Sequence, residues 1–204
     1  MNLFAGPSSR TTADEAELLR RARGGDLDAF NALVDLHQRL VYNLCRRMLG
    51  STTLAEDATQ DAFLAAFRNI TRCTGERFRP WLLRIAANAC TDELRKRGRR
   101  AAISLDAPQP VDDAPLDVPD PSAGPESEAL RSEQHRAISA ALLRLPADQR
   151  LAVILCDVQG FSYEEIALST NVSLGTVKSR IARGREKLRR DLGAPGTIRT
   201  AGTS

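Results

Sequence analysis

The stretch between Ala101 and Ser127 constrains the fold more than any other part of this 204-residue chain. It holds Pro108, Pro110, Pro115, Pro119, Pro121 and Pro125, six of the ten prolines, with Asp106, Asp112, Asp113, Asp117, Asp120 and Glu126 and no Lys or Arg. Proline fixes φ and removes a donor, and a segment this poor in apolar side chains cannot bury enough surface to offset its ordering entropy. The segment reads as a flexible acidic linker over 101–127, and it leaves two short modules that each need a core. Neither flank alternates apolar and polar residues as a half-buried strand would; both repeat apolar positions every three or four residues. The expected architecture is therefore all-α. Two small helical domains occupy 13–100 and 128–193, with polar tails at 1–12 and 194–204.

In the first domain Phe30, Leu33, Val34, His37, Leu40, Val41, Leu44, Cys45 and Met48 form one face of a long helix beginning after Asp26 or Asp28. Thr53 and Glu56 have capping-box spacing, and Ala58, Ala62, Ala66, Phe67 and Ile70 form the inward stripe of a second helix. A third begins near Pro80 and turns Trp81, Ile85, Ala86, Ala89, Cys90 and Leu94 inward. In the second domain Leu130, Ile138, Ala141, Leu142 and Leu145 precede Pro146, which ends one helix and opens another running through Leu151, Ile154 and Leu155 to Gly160.

Net charge is only +3, so a case for nucleic acid must rest on where charge sits. Ser162 and Glu165 make a second capping box, and Asn171-Val172-Ser173 supplies a turn and a new N-cap, which together have helix-turn-helix spacing. The helix that follows carries Lys178, Arg180, Arg183, Arg185, Lys187, Arg189 and Arg190 against Glu186 and Asp191. Such a helix suits a major groove, where Arg reads guanine and Lys neutralises phosphate. From Arg68 to Arg100 ten basic residues stand against three acidic ones, a second nucleic-acid footprint. Arg84, Asn88, Thr91, Asp92, Arg95 and Arg99 share its outer face. Asn88 could bond an exposed base edge. Phe78 is open to two readings, core or a surface for an unstacked base, whereas Trp81 reads as core.

On the second helix Asp57, Gln60, Asp61, Leu64 and Arg68 form a mostly polar stripe, open between a solvated face and a partner surface. No His, Cys or further acid stands beside Asp57 and Asp61 in the sequence, so carboxylate catalysis is discounted and the chain is not read as an enzyme. Cys45, Cys73, Cys90 and Cys156 include no C-x-x-C pair, and His37 and His135 are the only histidines; no metal, cofactor or disulfide framework is expected. No apolar run approaches the roughly 18 residues of a membrane span, and the start lacks a signal-peptide layout, so the expected location is cytoplasmic with no membrane partner.

With these features in place the chain resembles the extracytoplasmic-function (ECF) sigma factors, small promoter-specificity subunits of bacterial RNA polymerase within the sigma-70 family. The matching segments are AEDATQDAFLAAFRNI (55–70), FRPWLLRIAANACTDELRKRGRR (78–100), LRLPADQRLAVILCDVQGFSYEEIA (143–167) and SLGTVKSRIARGREKLRR (173–190). The resemblance implies a non-enzymatic transcription initiation factor that binds core RNA polymerase, with sigma region 2 at 13–100 and region 4 at 128–193. On that likeness Asp57, Gln60, Asp61, Leu64 and Arg68 dock on the clamp helices of the largest polymerase subunit. Phe78, Arg84, Asn88, Arg95 and Arg99 meet the minus-ten DNA, where a pocket formed by loop 75–79 and Asn88 captures a flipped base and drives melting. Lys178, Ser179 and Arg183 read the minus-thirty-five element, with Thr176, Arg180 and Arg185 on phosphates. The linker threads toward the RNA exit path, the polymerase flap is a further contact, and an anti-sigma factor is among the implied partners. Asp61 departs from the Glu usual at its position, a shorter reach. Cys73 reads as incidental to its loop, with redox sensing the less favoured alternative. The competing reading is a free-standing duplex-binding regulator built on 162–190.

Overall fold

The computed structural model describes residues 9–74, 77–103 and 125–193, in which every regular element is helical. These residues group into two compact units. The first holds α1 (Ser9–Arg23), α2 (Leu27–Leu49), α3 (Thr52–Arg68) and α4 (Phe78–Ile103) except for the corner Arg46–Thr52, which groups with the second. The second holds α5 (Pro125–Leu143), α6 (Ala147–Val153), α7 (Tyr163–Thr170) and α8 (Leu174–Leu192).

Asp26 starts α2 by accepting the Ala29 N–H at 3.0 Å, and Phe30, Leu33, His37, Val41, Leu44 and Cys45 form its buried stripe. The buried face of α3 is Ala55, Ala58, Ala62 and Ala66. Side chains this small let neighbouring helices approach closely. Helix α1 was not expected, and the N-terminal tail read over 1–12 gives way to it at Ser9. Its inward residues are Leu19 and Ala22, too sparse a pattern to stand out in the sequence.

Three local readings are corrected. Helix α3 begins at Thr52, which leaves Thr53 inside the first turn rather than at the N-cap. Phe67 is 48% exposed with its edge against Phe30, ring centroids 5.0 Å apart, and is not core. In α4 the deepest side chains are Phe78, Leu82, Leu83, Ala86, Ala87 and Cys90, while Trp81, Ile85 and Ala89 are only half-buried. The stripe therefore starts two residues before Pro80 and is rotated by about one position.

In the second unit α5 begins at Pro125, so the segment read as linker over 101–127 is helical at both ends; its centre, 104–124, lies outside the described residues, as does the tail 194–204. Pro146 precedes α6, and the chain widens into a π-helical turn at Ile154–Val158, with Leu151 to Leu155 all buried. Ile138, expected inward, is exposed. Ser162 and Glu165 form the capping box at the start of α7: the Glu165 N–H donates to Ser162 Oγ at 3.1 Å and the Ser162 N–H to Glu165 Oε2 at 2.9 Å. Asn171 ends α7 in the left-handed region at φ 54°, a conformation Asn tolerates better than most residues, and Ser173 caps α8. Helices α7 and α8 thus have the connection expected of a helix-turn-helix.

Candidate nucleic-acid interface

Helix α8 is long enough to lie in a major groove, and its core stripe is Val177, Ile181 and Gly184. Gly184 is where α6 comes closest: a Cβ there would stand 2.6 Å from Val153 Cγ2 and 3.5 Å from the Gln149 carbonyl oxygen. This contact fixes which side of α8 faces outward.

The seven cations of α8 are not equivalent. Arg180 Nε lies 3.0 Å from Asp148 Oδ2 on α6. Arg185 grips Asp157 with two nitrogens, Nε donating to Oδ2 at 3.0 Å and Nη2 to Oδ1, and that carboxylate pushes the guanidinium pKa above its ordinary value. Lys187 Nζ donates to the Arg144 carbonyl at 2.8 Å, and Arg144 pairs with Asp191 at 3.1 Å. Arg189 and Arg190 both face Glu186. Among the described residues Lys178 and Arg183 are exposed and have no ion pair or hydrogen bond within the chain. The structure therefore corrects the expectation that Arg180 and Arg185 stand ready for phosphate, because carboxylates of the preceding helical segment already hold them. Sequence spacing could not reveal this, since Asp148 and Asp157 approach only through packing. Thr176 and Ser179 bond locally, Thr176 with the Ser173 cap at 2.9 Å and Ser179 Oγ to the Thr176 carbonyl at 2.9 Å.

On α4, Arg84, Asn88, Arg95 and Arg99 are all exposed, and their spacing puts them on one side of the helix. Arg95 makes a solvent-exposed pair with Asp92 at 3.3 Å, an interaction of little energetic weight. Thr91 turns its hydroxyl back to the Ala87 carbonyl at 2.8 Å. Phe78 does not belong to this face. It is fully buried between His37 and Trp81, with ring centroids 5.5 and 5.7 Å away, so it packs in the core and cannot stack on a base.

The α3 stripe is exposed throughout, at Asp57, Gln60, Asp61, Leu64 and Arg68. Leu64, 44% exposed, has Phe67 as a second outward apolar neighbour three residues on. Two large apolar groups held in water among carboxylates suit a partner surface. Cys73 is buried, and burial pushes its thiol pKa up, which lowers its reactivity. Among the described residues no group of His, Cys, Asp and Glu could hold a metal ion, and no helix is long and apolar enough to cross a membrane.

Comparison with known proteins adds to this geometry. The family model described as Sigma-70 region 2 matches residues 33–100, and that described as Sigma-70, region 4 matches residues 135–188. The chain is 40% identical to the ECF RNA polymerase sigma factor SigE of Mycolicibacterium smegmatis over 163 residues, which are 80% of this chain and 61% of that protein. It is 36% identical to SigW of Bacillus subtilis over 186 residues, 85% of this chain and 94% of SigW. Among solved structures, the sigma factor RpoE in complex with the anti-sigma factor NepR from Bartonella quintana superposes with a TM-score of 0.66 at 26% identity, covering 83% of this chain and 99% of that one. CnrH in complex with the cytosolic domain of CnrY gives 0.62 at 27% identity, covering 88% and 97%.

Proposed function

Because the chain belongs to the ECF sigma factors of the sigma-70 family, we propose that its two units divide promoter recognition between them. Sigma factors are not enzymes; they bind RNA polymerase and direct promoter-specific transcription initiation, and this chain is one of them. In the proposed division the face of Arg84, Asn88, Arg95 and Arg99 meets the minus-ten element. Asn88 offers hydrogen bonds to an extruded base, and the arginines neutralise the separating backbone. Lys178 and Arg183 meet the minus-thirty-five element in its major groove. Arg180 and Arg185 orient α8 through Asp148 and Asp157 instead of contacting phosphate. Asp57, Gln60, Asp61, Leu64 and Arg68, with Phe67 added, dock on the polymerase clamp helices. The observation that carries this reading is the pair of unpartnered cations on a helix whose other arginines are tied down.

The relatives of known structure were each solved with an inhibitory or cytosolic partner domain, which supports an anti-sigma factor as a partner of this chain too. Such a partner would cover the docking and DNA faces together. The setting of all these contacts is the bacterial cytoplasm, where the polymerase works.

The test separates the faces. Leu64→Asp should abolish binding to core polymerase and leave the helical circular dichroism signal intact. Asn88→Ala should leave polymerase binding intact and reduce permanganate reactivity of the minus-ten strands. Unchanged polymerase binding in the first variant removes α3 from the docking surface, and unchanged melting in the second removes Asn88 from the pocket.

A further inference from the structure

Helix α4 begins without a cap of its own. The residue before its first turn is Arg77, whose side chain has donors but no acceptor, so it cannot satisfy the free N–H groups that every helix start exposes. The missing acceptor comes from another helix. Glu15, on α1, has its carboxylate 3.4 Å from His37 Nε2, with the two side chains only 17% and 8% exposed, and it also accepts the backbone N–H of Arg79, the second residue of α4. The His37 ring in turn lies against Phe78, the first residue of α4. Helix α1 packs on α4 and on the 3-10 turn Ile70–Arg72 that leads toward it. A carboxylate at this point also opposes the positive end of the helix dipole.

We propose that Glu15 is a positioning residue: from α1 it caps the first turn of α4 and so fixes the start of the helix that presents Arg84, Asn88, Arg95 and Arg99. The functional half of this inference rests on the assignment of that face to minus-ten DNA. The carboxylate touches no nucleic acid; it acts through the backbone of Arg79 and the ring of His37. The consequence is selective, because the docking stripe lies on α3 and does not share this cap.

Glu15→Ala and Glu15→Gln in the full-length chain test it, the second keeping an acceptor oxygen at the same reach. Amide exchange at Arg79, followed by NMR, should accelerate roughly 5- to 10-fold in Glu15→Ala and less in Glu15→Gln, as expected for loss of a cap. Open-complex formation with core polymerase should fall in the same order, with polymerase affinity unchanged. Wild-type exchange at Arg79 in Glu15→Ala overturns the cap. Normal promoter opening despite faster exchange overturns its functional consequence, and so does a parallel loss of helical signal, polymerase binding and opening, which would mark Glu15 as structural only. If the wild-type chain itself opens no promoter with core polymerase, the DNA assignment falls while the exchange result still decides the cap.

Discussion

Replacing Gly184 by Ala sets two known effects against each other. In an exposed helix the change would stabilise by about 1 kcal/mol, because Ala loses less backbone entropy than Gly. Here the new methyl would stand 2.6 Å from Val153 Cγ2, well inside contact distance, with the Gln149 carbonyl 3.5 Å away on the same side. Valine is β-branched and stiff at χ1, and the Gln149 backbone is part of α6, so neither neighbour can yield cheaply. Helix α8 must shift away from α6, an overpacking cost of about 1–3 kcal/mol. Subtracting the propensity gain leaves a net loss of up to about 2 kcal/mol. Urea unfolding of the whole chain, followed by circular dichroism, should show this loss. The fluorescence of Trp81, the single tryptophan, should not, because it reports on the other unit. Adding Val153→Ala opens the space, so the double variant should be more stable than the sum of the singles by about 1 kcal/mol. A stabilised Gly184→Ala, or no coupling with Val153, would refute the close approach of α6 and α8 at this point.

Other outcomes follow from the same contacts. Arg183→Ala should cost about 1–3 kcal/mol at one base position of the minus-thirty-five element, measured by binding of holoenzyme to single-base promoter variants. Arg185→Ala should instead weaken the second unit by about 0.2–1 kcal/mol through loss of a solvent-screened pair, and change sequence preference little. A sequence-specific defect in Arg185→Ala would reverse the two roles. Glu15 gives the first unit a pH dependence of known sign. The His37 contact, with the Arg79 N–H among lesser causes, holds its carboxyl below the ordinary 4.5. Its stabilising contribution is therefore complete above the unfolded value and disappears as pH falls through the lower folded one. Denaturation monitored by Trp81 fluorescence between about pH 6 and pH 3 should show a shallower acid loss in Glu15→Gln than in wild type.

The features readable from sequence were those settled by neighbours in the chain. Ser162 with Glu165, Asn171 and Ser173 each meet backbone groups only three or four residues away, so their types alone place the helix-turn-helix. The long face of α2 was legible because its apolar positions are large and numerous. Helix α4 was harder: Trp81 outweighs its neighbours by size and suggests the wrong inward side, while Phe78 and Leu82 take the core because the helix starts before Pro80. Phe67 is apolar at a core-like spacing yet lies outward, since the alanines of α3 already fill the close contact. The partners of Arg180, Arg185 and Glu15 are the least legible of all. Each lies on a different helical segment, and only packing brings it within reach.

The central claim is that this chain confers promoter recognition on a polymerase lacking it. Run-off transcription with purified core RNA polymerase on genomic fragments tests this most directly. The account predicts transcripts from discrete start sites that appear only when the chain is added, and that fall with Asn88→Ala and Arg183→Ala. Absence of such transcripts, with a tight and salt-resistant complex between the isolated chain and duplex DNA, would contradict it.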